Sequence, residues 1–402
     1  MEQEELKSQY KKGMTVGFIA GGGIFLALGL LAVALVASFF FTRNNAGTQF
    51  VIGDDVVKKS NALIEYIDEN YLYEYEEEEM ENAIYKAIMS SLGDPYSCYY
   101  TEEEFKTLME ETEGTYCGIG VVVSTDIDTG YIRVIQPYKS APGAKAGIKT
   151  DDLIIAVNDK DIRGIDIDLV VKDIKGEEGT SVKLTINRDG KVFDVEVKRE
   201  IVEIETVEYK MLDNNIGYIW ITQFDGVTET QVQKAIDDLT SQGMTSLIMD
   251  VRDNPGGRLD TVCNILDKFI DKGKLIVYTK DVEGNRVDYK AQKDATVDIP
   301  CVVLTNGNSA SASEIFAGAL QDYELAHIIG TQTFGKGIVQ TIIPMVDGTA
   351  FKLTIEDYYT PLGKNIHGKG VTPDVVVEFD YDAFEKDGTD TQLNAAIEYL
   401  TK

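Results

Sequence analysis

The longest apolar run of the chain lies near its amino terminus. Residues 13–42 contain no charged side chain, and about 20 apolar residues suffice to cross a bilayer as a helix. Ala32-Val-Ala34 could serve as a signal-peptidase site, but the run continues past the roughly 7–15 apolar residues of a usual signal peptide. Three lysines precede the run and Arg43 follows it. The pattern therefore predicts an uncleaved, single-pass cell-membrane anchor, with residues 1–12 in the cytoplasm and the rest outside.

Apolar spacing divides the remaining chain into a linker and three blocks. Residues 43–55 form a polar linker, and residues 56–112 have helical spacing with one Gly-Asp-Pro interruption. Residues 113–200 carry short alternating runs around the hairpin turn Asp189-Gly190, which predicts a small strand-rich domain. Residues 201–402 alternate apolar strand runs with amphipathic helices, which predicts a parallel α/β layer. The predicted fold is a multidomain α/β protein behind a transmembrane helix.

Charge and cysteine content exclude some classes of partner. The chain has 68 acidic and 38 basic residues, a net charge of −30, which disfavours nucleic acid. Its four cysteines include no Cys-X-X-Cys pair and it has only two histidines, so a zinc site is not expected. Disulfides and free thiols both remain open for an exported chain.

A serine at a predicted strand-to-helix turn is the first candidate for chemistry. The apolar run from Cys301 to Thr305 predicts a buried strand, and helical spacing resumes at Ile315. Ser311 lies between them, where free amides and a helix dipole stabilise an oxygen anion. Taken alone, a serine-rich helix start is usually a helix cap. A serine hydroxyl is a weak nucleophile and requires a neighbouring base.

Lysine is a better candidate for that base than histidine. His327 lies in the apolar run Leu-Ala-His-Ile-Ile, which predicts a buried core histidine, and His367 lies in a glycine-rich loop. Lys336 is bracketed by Gly335, Gly337 and apolar neighbours. Desolvation there would lower its pKa from about 10.4, so that neutral lysine could accept the serine proton. Taken alone, Gly-Lys-Gly is equally a simple turn.

These residues together resemble a family. Ser309-Ala-Ser-Ala-Ser-Glu-Ile, followed by Thr333-Phe-Gly-Lys-Gly-X-Val-Gln340, resembles the carboxyl-terminal processing (tail-specific) serine peptidases. The resemblance covers nearly the whole chain outside the first 45 or so residues. It implies that Ser311 is the nucleophile, Lys336 the general base and Gln340 the residue that orients the lysine. It implies an acyl-enzyme mechanism on a crotonase-like core, without metal or organic cofactor.

An Asn-Pro-Gly-Gly element follows another predicted strand. Its pattern, Arg252-Asp-Asn-Pro-Gly256-Gly257, is strong turn chemistry, and it lies at the strand end where parallel sheets carry their sites. It also resembles the family element that supplies an oxyanion-hole amide. That role is expected for Gly256 or Gly257, together with the amide of Ala312.

The strand-rich block resembles a PDZ domain. Gly118-Ile119-Gly120-Val121 would match the loop and strand that hold a peptide carboxylate through backbone amides. In relatives, the helical block 56–112 contributes to dimers, so a homodimer is a further implication. Two positions depart from the family pattern. Asn308 replaces a common glycine, and Lys175 lies near an arginine that couples the PDZ domain to the active site in some relatives.

The sequence therefore predicts a membrane-anchored serine endopeptidase. Its PDZ domain would bind free carboxyl ends of protein or peptide substrates, and a Ser-Lys dyad would cleave them. A catalytically silent PDZ scaffold is the alternative from a binding class. A crotonase-like enzyme acting on thioesters is a third reading, and the export signal counts against it.

Overall fold

The computed structural model describes residues 52–402. The predicted membrane segment 13–42 lies outside these residues, and none of the helices within them is long and apolar enough to cross a bilayer. The chain separates into residues 1–76 and 77–402. Within the first unit, helix α1 spans Asp54–Asn70.

The helical block continues with helix α2 (Glu77–Ser90), the short strand β1 (Cys98–Tyr100) and helix α3 (Glu102–Glu113). Helix α3 begins with a capping box between Thr101 and Glu104, each side chain bonding the other residue's backbone. It ends at Gly114, whose left-handed backbone stops the helix. The predicted interruption at Gly-Asp-Pro is confirmed, and β1 is a strand that the helical spacing did not predict.

The strand-rich block folds as one antiparallel sheet. Its edge-to-edge order is β3-β4-β5-β7-β8, with β6 paired to β5. The hairpin between β7 and β8 turns at Asp189 and Gly190, which both have positive φ, as predicted. Strands β2 and β9, where the chain enters and leaves this block, pair with each other. The elements are β2 (Thr115–Gly118), β3 (Val121–Thr125), β4 (Ile132–Pro137), α4 (Pro142–Lys145), β5 (Leu153–Val157), β6 (Lys160–Asp161), α5 (Ile167–Ile174), β7 (Ser181–Arg188), β8 (Lys191–Lys198) and β9 (Glu200–Glu203).

The remaining chain forms two sheets. The larger has the order β10-β11-β12-β15-β16-β19 and is parallel from β11 onward, which confirms the predicted parallel layer. The smaller has the order β1-β18-β13-β14, with β17 on β18. The elements are β10 (Val207–Met211), β11 (Ile216–Ile221), α6 (Thr228–Ser241), β12 (Ser246–Asp250), α7 (Leu259–Leu266), β13 (Leu275–Asp281), β14 (Arg286–Lys290), β15 (Cys301–Thr305), α8 (Ala312–Asp322), β16 (His327–Gly330), β17 (Ile338–Pro344), β18 (Ala350–Tyr359), β19 (Val375–Val376), α9 (Tyr381–Asp387) and α10 (Thr391–Thr401).

The buried parallel sheet brings together the two loops that matter for function. Alternate residues of each central strand face opposite sides, so Met249 and Val303 join one apolar cluster with Phe316 of α8, and Ile248 and Val302 join another. Strands β12 and β15 are parallel neighbours. The loops that leave their carboxyl ends therefore meet at one edge of the sheet.

The Thr228-X-X-Gln231 spacing predicts a capping box at the start of a helix, and this prediction is wrong. Val227 occupies the N-cap position of helix α6 and makes no side-chain capping bond, so Thr228 already lies within the first turn. The Thr228 hydroxyl accepts a hydrogen bond from the Asp225 amide at 2.9 Å, and the Gln231 side chain accepts one from the Thr206 amide at 2.9 Å. Both side chains therefore tie the helix to neighbouring loops instead of closing a capping box.

The prediction of a buried core histidine is also wrong. His327 is exposed, because it is the first residue of β16 and lies at the rim of the sheet. Its ring stacks on Tyr399 with centroids 4.4 Å apart. Its neighbours in the apolar run, Ala326 and Ile328, are both buried. All four cysteines, which the structure describes, are free thiols.

Candidate active site

Ser311 lies at a sharp turn between β15 and α8. Its backbone has φ 55° and ψ −114°, a conformation that non-glycine residues rarely adopt and that costs on the order of 1–3 kcal/mol. The serines on either side have structural roles. The buried Ser309 hydroxyl donates to Val251 O at 2.7 Å, and the buried Ser313 hydroxyl donates to Asn254 O at 2.9 Å. Ser311 is the partly exposed serine of the three.

One buried carboxylate joins the serine turn to the lysine segment. A single oxygen of Glu314, Oε2, accepts from the Ser311 amide at 2.9 Å and from the Lys336 amide at 2.8 Å. The other, Oε1, accepts from the Thr333 hydroxyl at 2.6 Å and from the Gly335 amide at 2.7 Å. Glu314 is fully buried. Four donors satisfy the carboxylate, which offsets the cost of burying its charge.

A buried tyrosine joins the same two backbones from the carbonyl side. The Tyr358 hydroxyl lies 2.9 Å from Ser311 O and 2.6 Å from Lys336 O. Burial raises the pKa of Tyr358 well above its ordinary value, so the hydroxyl keeps its proton and remains a donor. Sequence reasoning missed both residues. The Ser-X-X-Glu spacing at Ser311 is a capping-box signal that could have indicated Glu314, whereas Tyr358 reads as an ordinary strand residue.

The side chain of Lys336 is half-buried beside an aromatic ring. Its Nζ lies 4.3 Å from the centroid of Tyr96. Burial lowers the pKa of Lys336, and the nearby Lys352 ammonium lowers it further, while Asp94 and Glu314 act in the opposite direction. The predicted desolvation is therefore present. Glycine is required next to the lysine, because a Cβ on Gly337 would lie 2.5 Å from the amide nitrogen of His367.

The structure brings the backbones of Ser311 and Lys336 together without joining their side chains. Within residues 52–402, no hydrogen bond links the Ser311 hydroxyl, the Lys336 ammonium and the Gln340 amide. Gln340 lies on β17, and its amide group donates to Ile338 O at 3.4 Å. Glu314 and Tyr358 therefore hold the backbones of Ser311 and Lys336 as neighbours. The Lys336 ammonium lies over the Tyr96 ring, and Gln340 lies on the smaller sheet.

The Asn-Pro-Gly-Gly loop packs directly on the serine turn. A Cβ on Gly256, which has φ 107°, would lie 2.8 Å from Ser311 Cβ and 2.9 Å from Ala312 N. The Gly256 amide donates to the Asn254 side chain at 2.8 Å. The amides of Gly257 and Ala312 donate to no backbone carbonyl among the described residues. Of the two glycines, Gly257 therefore retains a free donor, and Gly256 provides the close approach.

Asn308, which departs from the family pattern, holds the same two loops together. Its side-chain amide donates to Asp253 Oδ1 at 2.7 Å. Asn306 donates to the same oxygen at 2.9 Å. A glycine at position 308 would lack this side-chain bond between the serine turn and the Asn-Pro-Gly-Gly loop.

Three of the four predicted peptide-binding residues line a groove between β3 and α5. The groove encloses about 70 Å³ and its walls include Ile119, Gly120 and Val121. Tyr116 also lines the groove, and the Gly120 amide lies near its hydroxyl. Gly118 lies under the Tyr116 ring, because a Cβ there would be 2.8 Å from it.

Lys175 lines the same groove, beside Tyr116. Its ammonium is 4.9 Å from the centroid of the Tyr116 ring and 3.5 Å from a carboxylate oxygen of Glu110, on helix α3. In this structure Lys175 therefore connects the groove to the helical block. A cation beside such a groove also complements a peptide carboxylate.

Comparisons with known proteins match both folded parts of the chain. The family model described as Peptidase family S41 matches residues 215–377, and the PDZ domain model matches residues 115–198. The chain is 38% identical over 358 residues to the carboxy-terminal processing protease CtpA of Bacillus subtilis, covering 88% of this chain and 76% of that protein.

A second relative and a solved structure extend the similarity. The probable CtpA-like serine protease of Staphylococcus saprophyticus is 35% identical over 360 residues, covering 88% of this chain and 72% of that protein. A putative S41 protease from Bacteroides fragilis superposes with a TM-score of 0.51 at 16% identity, covering 83% of this chain and 91% of that one. At that identity the superposition supports the fold alone.

Proposed function

The chain belongs to the carboxy-terminal processing serine proteases of peptidase family S41, and from this premise we propose that it cleaves its substrates with a Ser311-Lys336 dyad. The observation that carries the proposal is the shared anchoring of the two residues. Glu314 Oε2 accepts from both of their amides, and the Tyr358 hydroxyl lies between both of their carbonyls. A short movement of the lysine side chain would then bring it to the serine hydroxyl.

In the proposed reaction, neutral Lys336 takes the Ser311 proton while the serine oxygen attacks the substrate carbonyl. The resulting ammonium protonates the leaving amine, and an acyl-enzyme remains. Water then attacks the ester, lysine accepts its proton, and the same proton returns to Ser311 when the acid product leaves. Gln340, the third residue of β17, would orient the Lys336 ammonium when the lysine side chain turns towards Ser311.

The developing oxyanion would be stabilised by two backbone amides. Within the part of the chain that the structure describes, the N–H groups of Gly257 and Ala312 have no acceptor, whereas the amide of Gly256 is bonded to Asn254. We assign the donor role to Gly257 and Ala312, and the contact with the serine turn to Gly256. Such a pair of donors contributes several kcal/mol to the transition state.

The proposal includes a membrane location. The charge-free run 13–42 and the lysines before it support an anchor with the catalytic part outside the cell membrane. The substrates are then proteins or peptides that reach that side with a free carboxyl end. Dimerisation through the helical block remains a prediction.

Proteolysis by the full chain should depend on the charge of Lys336. Because burial lowers the pKa of this lysine below its ordinary value of about 10.5, the neutral base appears at lower pH than in free lysine. Cleavage of an unfolded protein should therefore increase with pH through one ionisation that lies below 10.5. An inflection at or above that value would remove lysine as the base. Absence of cleavage at every pH, with peptide still bound, would favour the silent-scaffold alternative.

Peptide binding to the groove should require displacement of the Tyr116 hydroxyl. A terminal carboxylate and this hydroxyl would compete for the Gly120 amide. In a Ser311→Ala background, a peptide with a free carboxyl end should bind about tenfold more tightly than its amidated form. Tyr116→Phe should increase that ratio several-fold, because it removes the competing hydroxyl near the Gly120 amide and keeps the ring.

Fluorescence anisotropy with the two peptides measures this ratio, and Tyr131→Phe in the same domain is the control. Equal binding of both peptides by all proteins would contradict carboxylate capture. Replacement of Gly120 itself is a poor test. Its φ is +71° and a Cβ would lie 2.1 Å from that of Ala141, so any side chain would distort the domain.

A further inference from the structure

A loop of the helical block lies beside the proposed base. The loop, residues 93–97, follows helix α2, and its Tyr96 ring lies 4.3 Å from Lys336 Nζ. A cation within about 6 Å of a ring centroid is attracted by the negative face of the ring. Within the described residues, this is the contact that the ammonium makes, since it forms no hydrogen bond or ion pair there.

The loop is fixed to the strand pair that carries Gln340. Asp94 accepts from the Tyr96 amide at 3.0 Å and from the Ser97 hydroxyl at 2.5 Å. The same hydroxyl accepts from the Thr354 amide at 3.0 Å, and Thr354 lies opposite Gln340 in the ladder between β17 and β18. Ser97 is buried. Tyr96 therefore has a fixed position relative to the proposed active site.

We propose that Tyr96 is a positioning residue for Lys336, which holds the protonated side chain away from Ser311 and releases it when the amine becomes neutral. This inference rests on the proposed role of Lys336 as the base. Protonated lysine is attracted to the ring, whereas the neutral amine has no charge for the ring to attract. Loss of the proton therefore weakens the contact that keeps the side chain from the serine, and the base becomes free to turn as it becomes competent.

The Tyr96 ring favours the protonated form of Lys336, whereas burial favours the neutral form. The charged groups that face Lys336 are Asp94 on the loop, Lys352 on β18 and Glu314 on α8. Desolvation and Lys352 disfavour the ammonium, and the two carboxylates and the ring favour it. An apolar side chain at position 96 would keep water out but would lack the attraction. The ammonium should then lose its proton at lower pH.

The test varies the electron density of the ring at constant shape. The full chain is prepared with Tyr96→Phe, with a trifluorinated phenylalanine at position 96, and with Tyr96→Leu. The rate at which a fluorophosphonate labels Ser311 is then measured against pH. We expect Tyr96→Phe to keep the wild-type inflection, because its ring retains the negative face. The trifluorinated and leucine variants should move it about one pH unit towards acid.

The fluorinated side chain fills nearly the same volume as phenylalanine, so it tests the charge effect even if the leucine variant folds poorly. Tyr99→Leu, on the neighbouring strand β1, serves as the control and should keep its inflection. An unchanged or more alkaline inflection in the trifluorinated variant would overturn the role of Tyr96. Failure of the wild-type protein to label would instead contradict the proposed dyad. A carbon NMR titration of Lys336 in Ser311→Ala would then decide the Tyr96 effect separately.

Discussion

Ser311→Ala and Lys336→Ala should each reduce kcat for cleavage of an unfolded protein by at least about four orders of magnitude. The serine change removes the attacking oxygen, and the lysine change removes the group that accepts its proton. The two residues act as a unit, so the double variant should lose no more activity than either single variant. Melting temperature and peptide binding should stay close to wild type, because neither side chain belongs to the apolar core or to the groove.

A variant of the neighbouring Ser313 tests whether Ser311 alone is the nucleophile. Ser313→Ala removes a buried hydrogen bond to Asn254 O, which should lower the free energy of unfolding by about 1 kcal/mol. It should still label with a fluorophosphonate, whereas Ser311→Ala should not. Ser241→Ala, at the exposed end of α6, controls for loss of a hydroxyl elsewhere. Residual cleavage by Ser311→Ala within about tenfold of wild type would exclude this serine as the nucleophile.

The placement of Ser311 could be predicted because local pattern and topology agree there. A fully apolar run such as Cys301–Thr305 has few alternatives to a buried strand, and a helix after it leaves its first amides free. Parallel pairing of β12 and β15 then brings the Asn-Pro-Gly-Gly loop to the same edge. The sequence pattern did not predict this pairing, because β13 and β14 lie between the two strands in the chain, and only the family resemblance placed the glycine loop beside the serine.

The contacts that fix the side chains could not be predicted in the same way. Tyr358 and Tyr96 lie on a strand and a loop far from the motifs, and neither has a local pattern that distinguishes it from other tyrosines. The choice between Gly256 and Gly257 as the oxyanion donor depends on which of their amides donates to the Asn254 side chain, and the sequence does not show which one does. His327 was mispredicted because an apolar run does not reveal which of its residues stands at the rim.

The structure also changes what the two departures from the family pattern mean. Asn308 adds a bond to Asp253 between the two loops of the site, so this substitution reinforces the arrangement instead of disturbing it. Lys175 pairs with Glu110 on α3 and with the Tyr116 ring. A peptide that displaces Tyr116 would therefore disturb a contact with the helical block, whose loop 93–97 reaches the proposed base.

Glu314→Gln should weaken both catalysis and stability while changing the shape of one side chain very little. The amide that replaces one oxygen cannot accept from the N–H and O–H groups that now point at it, so at least two of four buried donors lose their acceptor. Two such bonds to a charged group correspond to a decrease of about 3 kcal/mol in the free energy of unfolding. Loosening of the serine and lysine segments should lower kcat/KM about a hundredfold.

The same variant has a separate effect on pH dependence. The Glu314 carboxylate raises the pKa of Lys336, so its loss should move the inflection of fluorophosphonate labelling towards acid even as the rate falls. Glu398→Gln, on the exposed face of α10, is the control for loss of one negative charge and should leave rate, stability and inflection unchanged. A Glu314→Gln protein with wild-type stability and activity would mean that the shared carboxylate does not hold the two segments together. The main support for the dyad would then be lost.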